Sequence, residues 1–157
     1  MLKVSNKFSV NLSIVVAVLF LIVCVFGAFI MPTLANMLID AKDSIGSRAD
    51  ITQGGRFFVI VLAYFALLFL ALADGLLLAL LNRVKKALVF TEKSVSLIRG
   101  VSWCCVFIGM AFCLLGIYFQ LAFFVAFFAA FLAICLRVVK NVIEQATIIK
   151  SENDLTV

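Results

Sequence analysis

A chain of 157 residues that is 66% hydrophobic and 13% charged, with mean hydropathy +1.29, carries more apolar surface than a water-soluble domain of this size can hide. The composition excludes a soluble globular protein and makes the lipid bilayer its first partner. A net charge of +5 would suggest nucleic acid if it lay on one soluble face. Here the basic residues flank apolar runs, where headgroups and topology explain them, so no direct nucleic-acid contact is expected.

The first element is an apolar run from Val10 to Met31, broken only by Asn11 and Ser13, and long enough as a helix to cross the roughly 30 Å hydrocarbon layer. A signal peptide competes for this segment, because Lys3 and Lys7 form a positive leader. The run exceeds the usual apolar core of about 7–15 residues and further spans follow, which favours an uncleaved first helix. From Pro32 to Arg56 the composition turns mixed, with Asp40, Lys42, Asp43, Arg48 and Asp50 among Gly46, Gly54 and Gly55. This is the one sizeable loop, and "TLANMLIDA" within it is a candidate short interfacial helix.

Three more spans are predicted, at about 57–81, 101–118 and 121–136. The link "YFQL" between the last two is so short that it forces an antiparallel hairpin. Ten Lys and Arg residues fall on the side of the N-terminus, the 82–100 segment and the C-terminus, against three (Lys42, Arg48, Arg56) on the other. The positive-inside rule then places both termini and residues 82–100 in the cytoplasm and the 32–56 loop outside it.

Span three is predicted to begin as a cytoplasmic helix. Thr91 suits an N-cap, Glu92 meets the positive end of the helix dipole, and the apolar positions Val95 and Ile98 run on into the span. Span four does the reverse. After Ile134 an apolar stripe at Cys135, Val138, Val139, Val142, Ala146 and Ile149 continues, with Arg137, Lys140, Asn141, Glu144 and Gln145 elsewhere on the wheel. The two projections either cover each other and the headgroups or offer a docking surface to a cytoplasmic partner. The whole reads as a single all-α integral membrane domain, 1–157, of four transmembrane helices. Cytoplasmic helical extensions precede span three and follow span four.

Within span four, Ala122, Ala126 and Ala130 recur every four residues with Ala129 and Ala133 beside them, leaving one smooth face between phenylalanine ridges. In lipid, where hydrophobicity does not pull helices together, such faces let backbones approach and pack. Gly109 and Gly116 in span three are the expected receiving surface, and the same small face is a candidate contact between copies of the chain. Asp74 is the one acid inside a span. A bare carboxylate there is costly by about 2.5–3.5 kcal/mol on insertion scales. It reads either as a proton or ion site or as a structural contact to a hydroxyl such as that of Ser102.

Catalysis has little to stand on. There is no histidine for general base or zinc ligand, no Gly-rich phosphate cradle, and the acids are scattered. No cofactor is implied. Cys24, Cys104, Cys105, Cys113 and Cys135 form no CxxC pair and sit in or beside apolar runs, where cysteine behaves as a small hydrophobe.

The segment "VFTEKSVSLIRGVSW", leading into span three, together with the ending "IIKSENDLTV", resembles the small four-span bacterial membrane proteins of domain-of-unknown-function family 2975. The residues that carry the likeness are Phe90, Thr91, Glu92, Leu97, Arg99, Glu152, Asn153, Asp154, Leu155, Thr156 and Val157, with Ile98 set between Leu97 and Arg99. Members of that family are commonly encoded beside a small Cro/repressor-like helix-turn-helix protein. The resemblance therefore implies a non-enzymatic regulatory component of the bacterial cytoplasmic membrane that binds or restrains such a regulator. Phe90, Thr91, Glu92, Arg99, Glu152, Asn153, Asp154, Leu155 and Val157 are the candidate docking residues. The alternative is a small transporter or immunity-type membrane protein that works through Asp74 and the 32–56 loop.

Overall fold

A chain immersed in hydrocarbon must satisfy each backbone N–H and C=O from within itself, and the helix does so locally. The computed structural model describes residues 6–40, 53–86 and 91–155. Among them, four helices are long and apolar enough to cross a membrane: α1, Asn6–Asp40; α2, Gln53–Lys85; α3, Glu92–Leu115; and α4, Gln120–Leu155. The described residues are thus those of an all-helical, multi-pass membrane protein.

The helices outrun the expected spans. The segment from 32 to 56 is helical at both ends: Pro32–Asp40 belongs to α1 and Gln53–Arg56 to α2. "TLANMLID" is therefore the end of α1 and not a separate interfacial helix.

Pro32 should have stopped α1, because proline has no N–H to give the carbonyl four residues back. That carbonyl belongs to Ala28, and the hydroxyl of Tyr64 on α2 donates to it at 2.9 Å. A neighbouring helix thus supplies the donor that proline removed. At the same end of the molecule, Asp40 closes α1 and Arg56 lies in the first turn of α2, each on the wrong pole of its own helix dipole. They pair with each other at 3.0 Å.

Each helix packs along its neighbours in the chain, α1 on α2, α2 on α3 and α3 on α4, while α1 and α4 share no extended interface. At the end holding the α3–α4 turn, all four helices meet around Ile39, Val59, Leu62, Leu115 and Ala122. Flanked on two sides, α3 buries Val95, Ile98, Ser102, Cys104, Ile108, Gly109 and Ala111. The outward faces of α1 and α4 are apolar and uncovered, from Phe29 to Phe127. Hydrocarbon tolerates such a surface and water does not.

Gly109 does receive the alanine face of α4. A Cβ there would stand 3.6 Å from both the Ala126 carbonyl oxygen and the Ala129 methyl, and 3.8 Å from the Ala130 nitrogen. The buried row is Ala122, Ala129 and Ala133 with Ala126 partly covered, and Ala130 is exposed. The physical reason is angular: strict four-residue steps drift around a helix of 3.6 residues per turn, whereas alternating steps of four and three stay in line. Gly116 takes a different neighbour, the ring of Phe123, which lies within 2.8 Å of where a Cβ would be.

Candidate functional site

Two places concentrate the polar chemistry of the described residues. The first is the seam between the start of α3 and the second half of α4. Thr91 caps α3 in extended backbone, φ −139° and ψ 149°, and its side chain accepts from the Ser94 N–H. The Ser94 hydroxyl, fully buried, lies 3.0 Å from Thr91 Oγ1. Arg83, in the last turn of α2 where a cation suits the dipole, donates to the same Thr91 oxygen at 3.5 Å. Glu92 occupies the first turn as expected.

From this cap, α3 runs antiparallel to α4 with contacts at three levels. Arg99 and Glu144 pair at 3.7 Å, the Arg137 guanidinium lies 5.3 Å from the Trp103 ring centroid, and Ser102 donates to the Ala133 carbonyl at 3.0 Å. Lys140 adds an ion pair with Glu144 one turn along α4. Its hydrogen bond holds the Glu144 carboxyl below the ordinary glutamate range, helped by the charges of Lys140 and Arg99 and opposed by partial desolvation. Three cations, Arg99, Arg137 and Lys140, thereby share one pocket of about 300 Å³ beside Trp103. Farther along, Thr91, Glu92 and Arg99 face Glu144, Thr147 and Ile148 across a groove of about 630 Å³.

Of the candidate docking residues, the structure brings Thr91, Glu92 and Arg99 to that groove. Glu152 lies one turn beyond Ile148 on α4 and is exposed. Asn153, Asp154 and Leu155 form the last residues of α4, and Phe90, Thr156 and Val157 lie outside the described residues. Sequence reasoning missed the partners on α4. Lys140 and Glu144 stand at the spacing of a helical ion pair, which was legible, but their convergence on Arg99 required the register of two helices.

The second place is Asp74 on α2. It is 6% exposed, and its Oδ2 is buried without a hydrogen-bond partner among the described residues. The expected contact to the Ser102 hydroxyl is not the one made, because Ser102 gives its proton to Ala133 on the opposite flank of α3. Asp74 instead lines a cavity of about 590 Å³ between α1, α2 and α3.

A family model described as a protein of unknown function (DUF2975) matches residues 32–157, which takes in the end of α1 and all of α2, α3 and α4. No curated protein and no solved structure matches the chain.

Proposed function

The chain belongs to the DUF2975 family of proteins of unknown function, and from that membership we propose a regulatory role. In this reading the protein is a non-enzymatic component of the bacterial cytoplasmic membrane whose cytoplasmic face binds or restrains a small helix-turn-helix transcription regulator. Both termini face the cytoplasm, by the ten-to-three distribution of Lys and Arg.

One observation carries the proposal. At about 1.5 Å per residue α4 is about 54 Å long, some 24 Å more than the hydrocarbon layer is thick. Along that surplus its two faces diverge. Lys140, Glu144 and Thr147 turn toward α3 and are partly covered, while Val138, Val142 and Ile149 fall on the opposite side and are exposed, Val142 at 60%. A projection that served only to cover its neighbour has no use for an apolar stripe on its far side. An amphipathic helix laid against a partner's helix does, and the helix-turn-helix regulator implied by the family's gene neighbourhood presents such helices.

Sidedness is tested first. In a cysteine-free background, single cysteines at Ser47, Ser96 and Glu152 should react with an impermeant maleimide in intact cells at position 47 alone. Ser96 and Glu152 are exposed positions, so silence there reports sidedness and not burial. Labelling at 96 or 152 overturns the orientation.

Docking is tested by co-expression with a small helix-turn-helix protein found encoded beside this chain. Full-length protein should co-purify with it. Deletion of Glu152 to Val157, or Val142→Asp, should abolish capture while leaving membrane insertion and monodispersity after extraction intact. Undiminished capture by both variants, or the lack of any such neighbouring gene, sinks the regulatory reading.

A further inference from the structure

A carboxyl group inside a membrane protein normally declares its purpose through its partners, because an unsatisfied acid at that depth is among the most expensive groups a helix can carry. Asp74 declares the reverse. It is covered by protein, its Oδ2 meets no hydrogen-bond partner among the described residues, and beside it runs an open groove of about 590 Å³ whose lining residues Leu12, Val16 and Phe20 are exposed on the outer surface. The walls are hydrocarbon: Val16, Ala17 and Phe20 from α1, Leu77 from α2 and Val101 from α3. Ser13 is the other polar side chain at its edge.

No cation reaches the cavity wall among the described residues. Arg83, nine residues farther along α2, is engaged by Thr91. Besides thiols, the flanking helices carry Asp40 at the end of α1 and Glu92, Lys93 and Arg99 in the first turns of α3, none of which is among the residues lining the cavity. Cys24 on α1 is buried, and Cys104 and Cys105 on α3 follow Val101 by about one turn. One acidic group thus lies at the wall of an open apolar groove, and no basic side chain among the described residues lines it.

We propose that this cavity binds a lipophilic monocation. Its positive centre, an ammonium or a phosphonium, lies against the Asp74 carboxylate, and its apolar body lies along the open groove between α1, α2 and α3. Ligand sites are commonly apolar chambers with a few placed polar groups, and the match here is specific in sign. A neutral apolar molecule would leave Asp74 unsatisfied, and an anion would meet like charge. A hydrophilic cation would leave the hydrocarbon walls unfilled. The site is separate from the α3–α4 seam, so the proposal stands or falls independently of the regulatory reading.

The test is equilibrium dialysis of radiolabelled tetraphenylphosphonium against the full-length protein in detergent, with triphenylphosphine oxide as a neutral compound of similar shape. Saturable binding at one site per chain is expected. Asp74→Asn should weaken it about thirtyfold or more, the lower limit for removing one partner of a buried charge pair. Val16→Trp, which occupies the groove and leaves the carboxyl in place, should weaken it to a similar degree. The neutral oxide should fail to compete. Non-saturable uptake, equal binding by monodisperse Asp74→Asn protein, or effective competition by the oxide overturns the proposal. Should Asp74→Asn not fold, Val16→Trp and the oxide decide the matter, because neither alters the acid.

Discussion

Gly109→Leu is expected to part α3 from α4 and to lower the stability of the solubilised protein by about 2–3 kcal/mol, within the range for overpacking a tight contact. Gly109→Ala is expected to be nearly silent. The distinction follows from distance: a methyl at this position stands 3.6 Å from the Ala126 oxygen and the Ala129 methyl, ordinary van der Waals contact, whereas three further carbons have only α4 backbone and that rigid methyl in front of them. Neither backbone nor an alanine Cβ can step aside as a flexible side chain can. In lipid the attraction between these helices is packing itself, so a gap opened at Gly109 also loosens the Ser102 bond to Ala133 two turns away. Trp103 is the sole tryptophan and sits in the same seam under Arg137. Its fluorescence during unfolding in mixed micelles is the measurement. A leucine variant with an unshifted transition would show that the two helices are not held by this approach.

Tyr64→Phe is expected to destabilise the protein by about 1 kcal/mol, between the average and the maximum found for hydrogen bonds between helices in a bilayer. The substitution leaves the ring and removes one donor, abandoning the Ala28 carbonyl that Pro32 already deprives of its partner in α1. Tyr64 and Pro32 are expected to be coupled. In a Pro32→Ala background residue 32 regains its N–H, the Ala28 carbonyl is satisfied within α1, and Tyr64→Phe becomes almost neutral. A double-mutant cycle read by the same unfolding transition isolates that coupling. Equal effects of Tyr64→Phe in both backgrounds would mean that the hydroxyl serves no such purpose.

The amino-acid sequence by itself determined the features whose causes lie within a few residues of each other. Four apolar runs make four helices because length and hydropathy act along one segment. Thr91 and Glu92 start α3 because a cap is built from one turn of chain. The stripe after Ile134 carries α4 on to Leu155 because helical periodicity is unbroken there. Even the meeting of Gly109 with the alanines was legible, since the short α3–α4 link leaves those helices no other geometry.

Tertiary structure decided whatever depends on the register of one helix against another. Pro32 reads as a stop until Tyr64 arrives from a segment more than thirty residues away to satisfy Ala28. Ser102 has one proton to give, and only the placement of α4 shows that Ala133 receives it and Asp74 does not. Arg99, Lys140 and Glu144 are three separate charges in the chain and one cluster in the fold. Asp74 is the clearest instance. Its presence inside a span is a fact of sequence, but its burial, an Oδ2 without a hydrogen-bond partner among the described residues and the open groove beside it arise only where α1, α2 and α3 converge.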